Sequence, residues 1–374
     1  MSLDFKVNAK VISAAVGVVG GAVTGRSSLP ILSHILIESD GDSLRLTGTD
    51  LEIGISCKIP AFITSEGNVA APKEMLAKFL GTFGAADDVL FSMQGTTALL
   101  KCKKSSTKLL SLMGDDYPSL PVVDGTTFTI PQSALQSALK KVMPAASTDE
   151  TRAIITGILM VAQPDGMAFV ATDTHRLTKV ECDVEGIGEL RCVLPSKTAR
   201  EIVRLSAATE GDIKITISGD AGILFELPGS DELKIKSRLI DGAYPSFERV
   251  IPAVDKVNRI ATFDTEALRV ALKRIEPVAK ENSSRCIFSF SNTTLKLSAE
   301  SHMIGSTEDE IEIETNNTAP FTIAFNVGYV ITALSTVTDD QCSLRLQPES
   351  SKPALLTPVN SLDILTVLMP MQMA

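Results

Sequence analysis

The sequence predicts an α+β protein of three repeated domains, each with two helices packed on antiparallel sheets. Three observations support this. At 374 residues the chain exceeds one ordinary core, and a prior of about 150 residues per domain gives two or three. One order of elements (helix, strands, helix, strands) recurs three times. The strands are joined by tight turns, which implies antiparallel pairing with helices covering one face.

Each repeat opens on a short strand bearing Phe, followed by an amphipathic helix: "DFKVNAKVISAAVGVV" from Asp4, "TFTIPQSALQSALKKV" from Thr127 and "TFDTEALRVALKRI" from Thr262. Leu135, Leu139 and Val142 fall at helical spacing, as do Leu268, Leu272 and Ile275. Alternating strands follow: "LPILSHILIES" and "SLRLTGTDLEIGISC" around "DGD", "ITGILMVAQ" and "MAFVATDTHRLTKVE" around "PDG", "CIFSFS" and "LKLSAESHMIGSTE" around "NTT". A second helix opens at Pro72, Pro195 and Asn326, consistent with Pro in a first turn and Asn at a cap. Further strands complete each unit, "VLFSMQ" and "ALLKCKK", "IKITIS" and "GILFELP", "CSLRLQP" and "ALLTPV". "LTGTDLE" at Leu46 answers "VATDTHRL" at Val170, and "DDYPSL" at Asp115 answers "DGAYPSF" at Asp241. The expected domains are 1–124, 125–255 and 256–374, each of natural size.

Composition narrows the function. Hydrophobic residues at 44% and charged residues at 21% fit a globular chain. The six cysteines lie scattered, with no C-x-x-C and no His-Cys cluster, so reduced thiols are expected and neither a metal site nor a cofactor is indicated. "VISAAVGVVGGAV" has the look of a signal-peptide core, but it is too short to span a bilayer and belongs to the first repeat. A cytoplasmic protein without membrane association is the expectation.

A net charge of −10 argues against phosphate binding unless the charge is segregated. It is segregated along the sequence. The six helical segments hold Lys10, Lys73, Lys78, Lys140, Lys141, Lys197, Arg200, Arg204, Arg269, Lys273, Arg274 and Lys280 against only Glu74, Glu201, Glu266 and Glu276. That surplus of eight positive charges leaves −18 on strands and loops. Lys and Arg are good helix formers, but Glu is equally good and is nearly absent from these segments. With no Trp and three Tyr there is little material for base stacking, and no recognition helix or zinc finger is evident. Non-specific contact with duplex phosphates remains.

The run "ATDTHRL" at 171–177 gathers Thr172, Asp173, Thr174, His175 and Arg176 in a chain with three His. A hydrolytic site would use Asp173 and His175 with a nearby hydroxyl. No nucleophile elbow, phosphate loop, H-E-x-x-H or paired carboxylates accompany them. The repeat-equivalent "GTDLEIG" lacks His and Arg, so the Thr-Asp pair reads as polar groups satisfying a local turn. A surface β-repeat protein is another reading, but it leaves the basic helices unexplained.

"SLPILSHILIE", "LTGTDLEIGI", "VATDTHRL", "SRLIDGAYPSFERVIP", "FNVGYVITAL" and "VLMPMQM" together resemble the bacterial sliding clamp family, the beta subunit of the replicative DNA polymerase III, over the whole chain. The resemblance implies the DNA clamp fold and a non-catalytic processivity factor. It implies a head-to-tail homodimer forming a ring around double-stranded DNA without sequence specificity. Helices spaced about 9 Å apart support the copy number: six would close a circle of axes only about 17 Å across, whereas twelve give about 34 Å. About 23 Å remains clear after helix width, enough for a duplex on the order of 20 Å wide.

The resemblance also implies an apolar groove for linear motifs of the polymerase catalytic subunit, the clamp loader, other polymerases and repair proteins. Carried over by position, it comprises Ile155, Gly157, Thr172, Thr174, His175, Arg176, Leu177, Pro245, Val250, Val367, Met369, Pro370 and Met371. Met side chains suit a pocket that accepts many related peptides. Thr174 stands where the family commonly has Gly, and Gln372 where it often has Arg. DNA contacts are expected at Arg26, Lys73, Lys140, Lys141, Arg152 and Lys197. The dimer contact is expected at Thr107, Leu109, Pro277 and Val278.

Overall fold

The computed structural model describes residues 3–373 apart from 26–27, 120, 164–165, 185–187, 189, 208–209, 220–221, 230–231, 318 and 362. Arg26 therefore lies outside the described residues, as do Pro164 and Asp165 of the "PDG" turn. The chain divides into two compact units: Met1–Gln136 with Lys197–Leu239, and Ser137–Ser196 with Ile240–Ala374.

Among the described residues there are seven α-helices: α1 (Ala9–Val19), α2 (Lys73–Leu80), α3 (Gln132–Val142), α4 (Ala153–Thr156), α5 (Ser196–Ser206), α6 (Thr265–Lys280) and α7 (Val327–Leu334). Six are those expected from periodicity; α4 is a single turn too short to leave a periodic signal. Leu135, Leu139 and Val142 of α3 and Leu272 and Ile275 of α6 are fully buried, and Leu268 nearly so, so the 3.6-residue stripe is the packing face. Asn326 caps α7, its side chain accepting from the amides of Gly328 (3.0 Å) and Tyr329 (3.3 Å). Asn8 caps α1 and Asp264 caps α6 in the same way, each cap contributing about 1 kcal/mol. Pro72 sits one position before α2, as its N-cap.

In the first unit, a five-stranded sheet runs in the order Phe62–Ser65, Asp4–Asn8, Asp88–Gln94, Thr97–Cys102, Ser105–Leu110. A nine-stranded sheet runs Leu112–Met113, Asn68–Pro72, His34–Asp40, Ser43–Thr49, Ile53–Pro60, Lys234–Ser237, Gly222–Glu226, Asp212–Ser218, Thr126–Pro131. All pairings are antiparallel. The seam between Ile53–Pro60 and Lys234–Ser237 joins strands of the first and middle repeats in one sheet. Helices α1 and α2 pack together, and Gln132 and Gln136 of α3 donate to the Ser206 and Val203 carbonyls of α5.

The second unit repeats the plan. Its nine-stranded sheet runs Arg191–Pro195, Gly157–Gln163, Gly166–Thr172, Arg176–Cys182, Ile364–Leu368, Ala354–Pro358, Gln341–Leu346, Arg259–Asp264, Glu314–Thr315. The pairing of Arg176–Cys182 with Ile364–Leu368 joins middle and third repeats. A four-stranded sheet, Gly305–Glu312, Thr294–Ser301, Arg285–Phe290, Phe321–Asn326, packs beneath α6 and α7. Compact units and repeats thus differ, because each sheet is continuous across a repeat boundary.

Three segments expected as single strands are hairpins. "SLRLTGTDLEIGISC" reverses after Thr49, "MAFVATDTHRLTKVE" after Thr172 and "LKLSAESHMIGSTE" after Ser301. In the first two, a Thr-Asp pair offers the backbone side-chain acceptors that a continuing strand would not need.

Candidate functional site

The "ATDTHRL" run forms a closed polar turn. The Thr172 hydroxyl donates to the Arg176 carbonyl (2.6 Å) and accepts from the Thr174 amide (3.1 Å). One Asp173 oxygen accepts from the amides of His175 (2.9 Å) and Arg176 (3.0 Å), and the other from the Arg176 guanidinium (3.1 Å). Among the described residues no hydrogen bond links a hydroxyl of this run to the His175 ring. Carboxylate and hydroxyl are consumed by the backbone, so the nucleophile–base contact of a hydrolytic site is missing. In the first repeat, Thr49 and Asp50 make the same bonds to Ile53, Leu51 and Glu52.

Arg176 is the anchor of this turn. Besides Asp173, its guanidinium donates to the Pro144 carbonyl and lies over the Tyr329 ring, 4.5 Å from the centroid. Its side chain is only 13% exposed and that of Asp173 14%, so losing either partner would strand a charge at a cost of about 3–5 kcal/mol. The exposed His175 ring stacks on Tyr329 at 6.2 Å. Burial pushes the Tyr329 hydroxyl above its ordinary pKa. Tyr329 is missing from the residues expected by sequence, although it is one of only three tyrosines.

Beside the turn lies an apolar cluster. Ile155, Leu177 and Val367 are buried together with Tyr244 and Phe247. Leu177 stands opposite Thr172 on one side and Val367 on the other. Gly157 is required by close packing, since a Cβ there would lie 2.5 Å from Val193 and 2.8 Å from Ile240. Tyr244 and Phe247 point inward, leaving Pro245 and Val250 exposed beside them. Burial raises the Tyr244 hydroxyl pKa, and the hydroxyl is bonded by the Thr172 backbone.

The chain end borders this cluster. The Met369 amide donates to the His175 carbonyl (3.0 Å), and the Met371 amide to Ala324 of the four-stranded sheet (2.8 Å). Met369, Pro370 and Met371 are half-buried. The structure thus gathers Ile155, Gly157, Leu177 and Val367 as a floor, with Met369 fixed at the polar turn; Met371 is tied to the other sheet. Apolar floor, thioether edge and polar rim together suit an extended peptide.

The expected DNA contacts differ in their surroundings. Lys197 is ion-paired with Asp50, and Arg152 with Asp149 at 3.1 Å. All four helix acids are likewise held by helix cations: Glu74 by Lys78, Glu201 by Arg204, Glu266 by Arg269 and Glu276 by Lys280. Lys10, Lys73, Lys141, Arg200 and Lys273 make no ion pair among the described residues. Lys140 is exposed in the last turn of α3.

At the expected dimer contact, Leu109 and its neighbour Leu110 face opposite ways. Strand alternation turns the Leu109 side chain into the core, 4% exposed, and turns out that of Leu110, 78% exposed. Thr107 lies on the same edge strand, and Pro277 is exposed within α6 next to half-buried Val278.

Burial pushes Cys192 and Cys286 up to about 12 and Cys182 and Cys342 up to about 11, so these thiols remain protonated. Among the described residues no cluster could hold a metal ion and no helix is long and apolar enough to cross a membrane.

Models of the DNA polymerase III beta subunit match almost the whole chain: its N-terminal domain over residues 3–121, central domain over 129–246 and C-terminal domain over 248–372. The chain is 29% identical to the beta sliding clamp of Synechococcus elongatus and 27% identical to that of Synechocystis, covering 97% of both partners each time. Among solved structures it is similar to a sliding clamp from Bartonella birtlesii bound to griselimycin, with a TM-score of 0.94, 26% identity and full coverage of both chains. It is also similar to the DNA polymerase III subunit beta of Pseudomonas aeruginosa, with a TM-score of 0.92, 26% identity, and coverage of 99% of this chain and 100% of that one.

Proposed function

Because the chain belongs to the DNA polymerase III beta subunit family, the sliding clamps, we propose that two copies close head to tail around duplex DNA and tether the replicative polymerase to its template. The family consists of processivity factors, not enzymes. The observation that carries this reading is the charge on the helices. Five helix cations keep no ion partner among the described residues, in a chain whose net charge is −10. They offer the duplex a weak, sequence-independent contact, while enclosure does the holding. Strong phosphate affinity would impede sliding.

Two sheet edges suit the ring contact. The edge strand Ser105–Leu110 carries Lys108, with Lys104 just before it; the edge strand Gly305–Glu312 carries Glu310 and Glu312. None of the four forms an ion pair among the described residues. Joining such edges between copies is a heterologous contact that closes when the rotation does. Domains 1–124, 125–255 and 256–374 are the proposed building blocks, acting in the cytoplasm.

The groove of Leu177, Val367 and Met369 receives linear motifs of the polymerase, the clamp loader and repair proteins. Griselimycin bound to a similar clamp supports a ligand site on this fold. The test of the whole reading is retention after loading: persistence on closed circles and rapid loss from linear DNA are expected. Equal retention on both would overturn it. For the groove, Met369→Ala with Met371→Ala weakens binding of a polymerase-tail peptide by about tenfold while dimer mass stays constant.

A further inference from the structure

The first unit contains a hollow of about 680 Å³, within the size range of ligand sites. It is built from the repeat counterparts of the groove. Leu36, Thr49 and Gly54 line it where the middle repeat has Leu159, Thr172 and Leu177. Tyr117, which also lines it, answers Tyr244: its hydroxyl accepts from the Thr49 amide (3.2 Å) and donates to the His34 carbonyl (3.0 Å). The strand register continues the equivalence. Lys236 pairs with Gly54 and Leu224, as Val367 pairs with Leu177 and Leu355 in the groove.

Two differences follow. Gly54 and Lys236 replace the apolar pair Leu177 and Val367, removing a side chain from the floor and introducing an ammonium. The walls stay apolar through Leu36, Val123 and Leu224, with Val122 standing 80% exposed at the rim.

Two of the cations around the hollow are paired, Arg45 with Asp40 at 2.6 Å and Lys234 with Glu226 at 3.1 Å. Asp115 keeps its charge at one end, where it accepts from the neutral Asn68 amide group at 2.7 Å. Burial shifts Glu38 toward its neutral form. Lys236 has no ion partner among the described residues. An unneutralised ammonium beside apolar walls selects an apolar ligand with one negative charge.

We propose that this hollow is a second docking site, taking an extended peptide with two or three apolar side chains and one carboxylate set against Lys236. The ligand class rests on the peptide-binding role proposed for the equivalent groove; the acidic preference comes from Lys236.

The full chain, methyl-labelled at Ile, Leu and Met, is titrated with N-acetyl-Leu-Glu-Leu-Phe amide and with its Gln counterpart, and methyl resonances are followed. The Glu peptide is expected to shift Leu36 and Leu224 along a saturation curve separate from that of Met369 and Met371. The Gln peptide should bind there about tenfold more weakly, and Lys236→Gln should abolish that difference without moving the unliganded spectrum of the second unit. Shifts confined to Met369 and Met371, or equal binding of both peptides at Leu36, overturn the proposal. Shifts at Leu36 and Leu224 alone uphold it and refute the peptide role of the Met369 groove instead; silence at both sites refutes both.

Discussion

Leu51 and Thr174 hold the same left-handed backbone conformation, with φ of 78° and 77°, at matching places in two turns. Each follows a Thr whose hydroxyl bonds across the turn and an Asp whose carboxylate collects two amides. The turn, more than the residue, sets φ. A β-branched side chain there is strained by about 1–2 kcal/mol.

Thr174→Gly should therefore raise stability. Relief of strain exceeds the extra chain entropy of Gly, leaving a net gain of about 0.5–1 kcal/mol in urea unfolding. Thr174→Ala, which keeps a Cβ, should recover less than half of it. A Gly variant that unfolds at lower urea than the parent would show that the Thr side chain has a favourable contact outweighing the strain.

That turn also marks how far the sequence could be read. Thr172 and Asp173 were legible as a local motif because the first repeat holds Thr49 and Asp50 without His or Arg. Helices α3 and α6 were legible because Leu135, Leu139, Leu268 and Leu272 keep the 3.6-residue period. The hairpins were not: alternation continues on both sides of Asp50 and Asp173, and only side-chain hydrogen bonding reverses the chain. Burial of Leu109 rather than Leu110 depends on a register of one residue, which a run of neighbouring Leu cannot disclose. Tyr329 reaches Arg176 from another repeat, and long-range pairing leaves no periodic trace.

Gly157→Ala tests the groove floor. The new Cβ would meet Val193, Ile240 and the Leu194 carbonyl, all under 3.0 Å. Backbone, buried Val193 and half-buried Ile240 must move, at about 1–3 kcal/mol. Loss of peptide affinity should accompany the fall in melting temperature, because Ile155 and Leu159 share that packing. Unchanged affinity in a destabilised variant would detach Gly157 from the groove.

Glu38 gives a pH signature. Burial raises its pKa above the ordinary 4.5, while Arg45 opposes the shift. A carboxyl whose folded pKa is raised contributes stability that is fully present below the unfolded pKa and lost as pH rises through the folded one. Glu38→Gln should thus match the parent near pH 3 and become progressively more stable than it as pH rises above 4.5. Denaturant midpoints across that range read the difference; a gap that widens toward acid would reverse the sign and refute the burial account.

The ring contact can be tested by charge exchange between sheet edges. Lys104 and Lys108 on one edge and Glu310 and Glu312 on the other are exposed and unpaired among the described residues. If these edges meet between copies, Lys104→Glu with Lys108→Glu sets like charges together, each costing several tenths of a kcal/mol or more across a strand pair. Because a ring has two such contacts, the penalty counts twice. Dimer dissociation, read by mass photometry across a dilution series, should begin at a concentration about tenfold higher or more, and adding salt should narrow the gap. Adding Glu310→Lys and Glu312→Lys to the same chain restores attraction with opposite polarity, so the fourfold variant should regain the parent's dimer. Rescue would be hard to obtain from any other arrangement; failure of both the disruption and the rescue would mean that these edges do not meet.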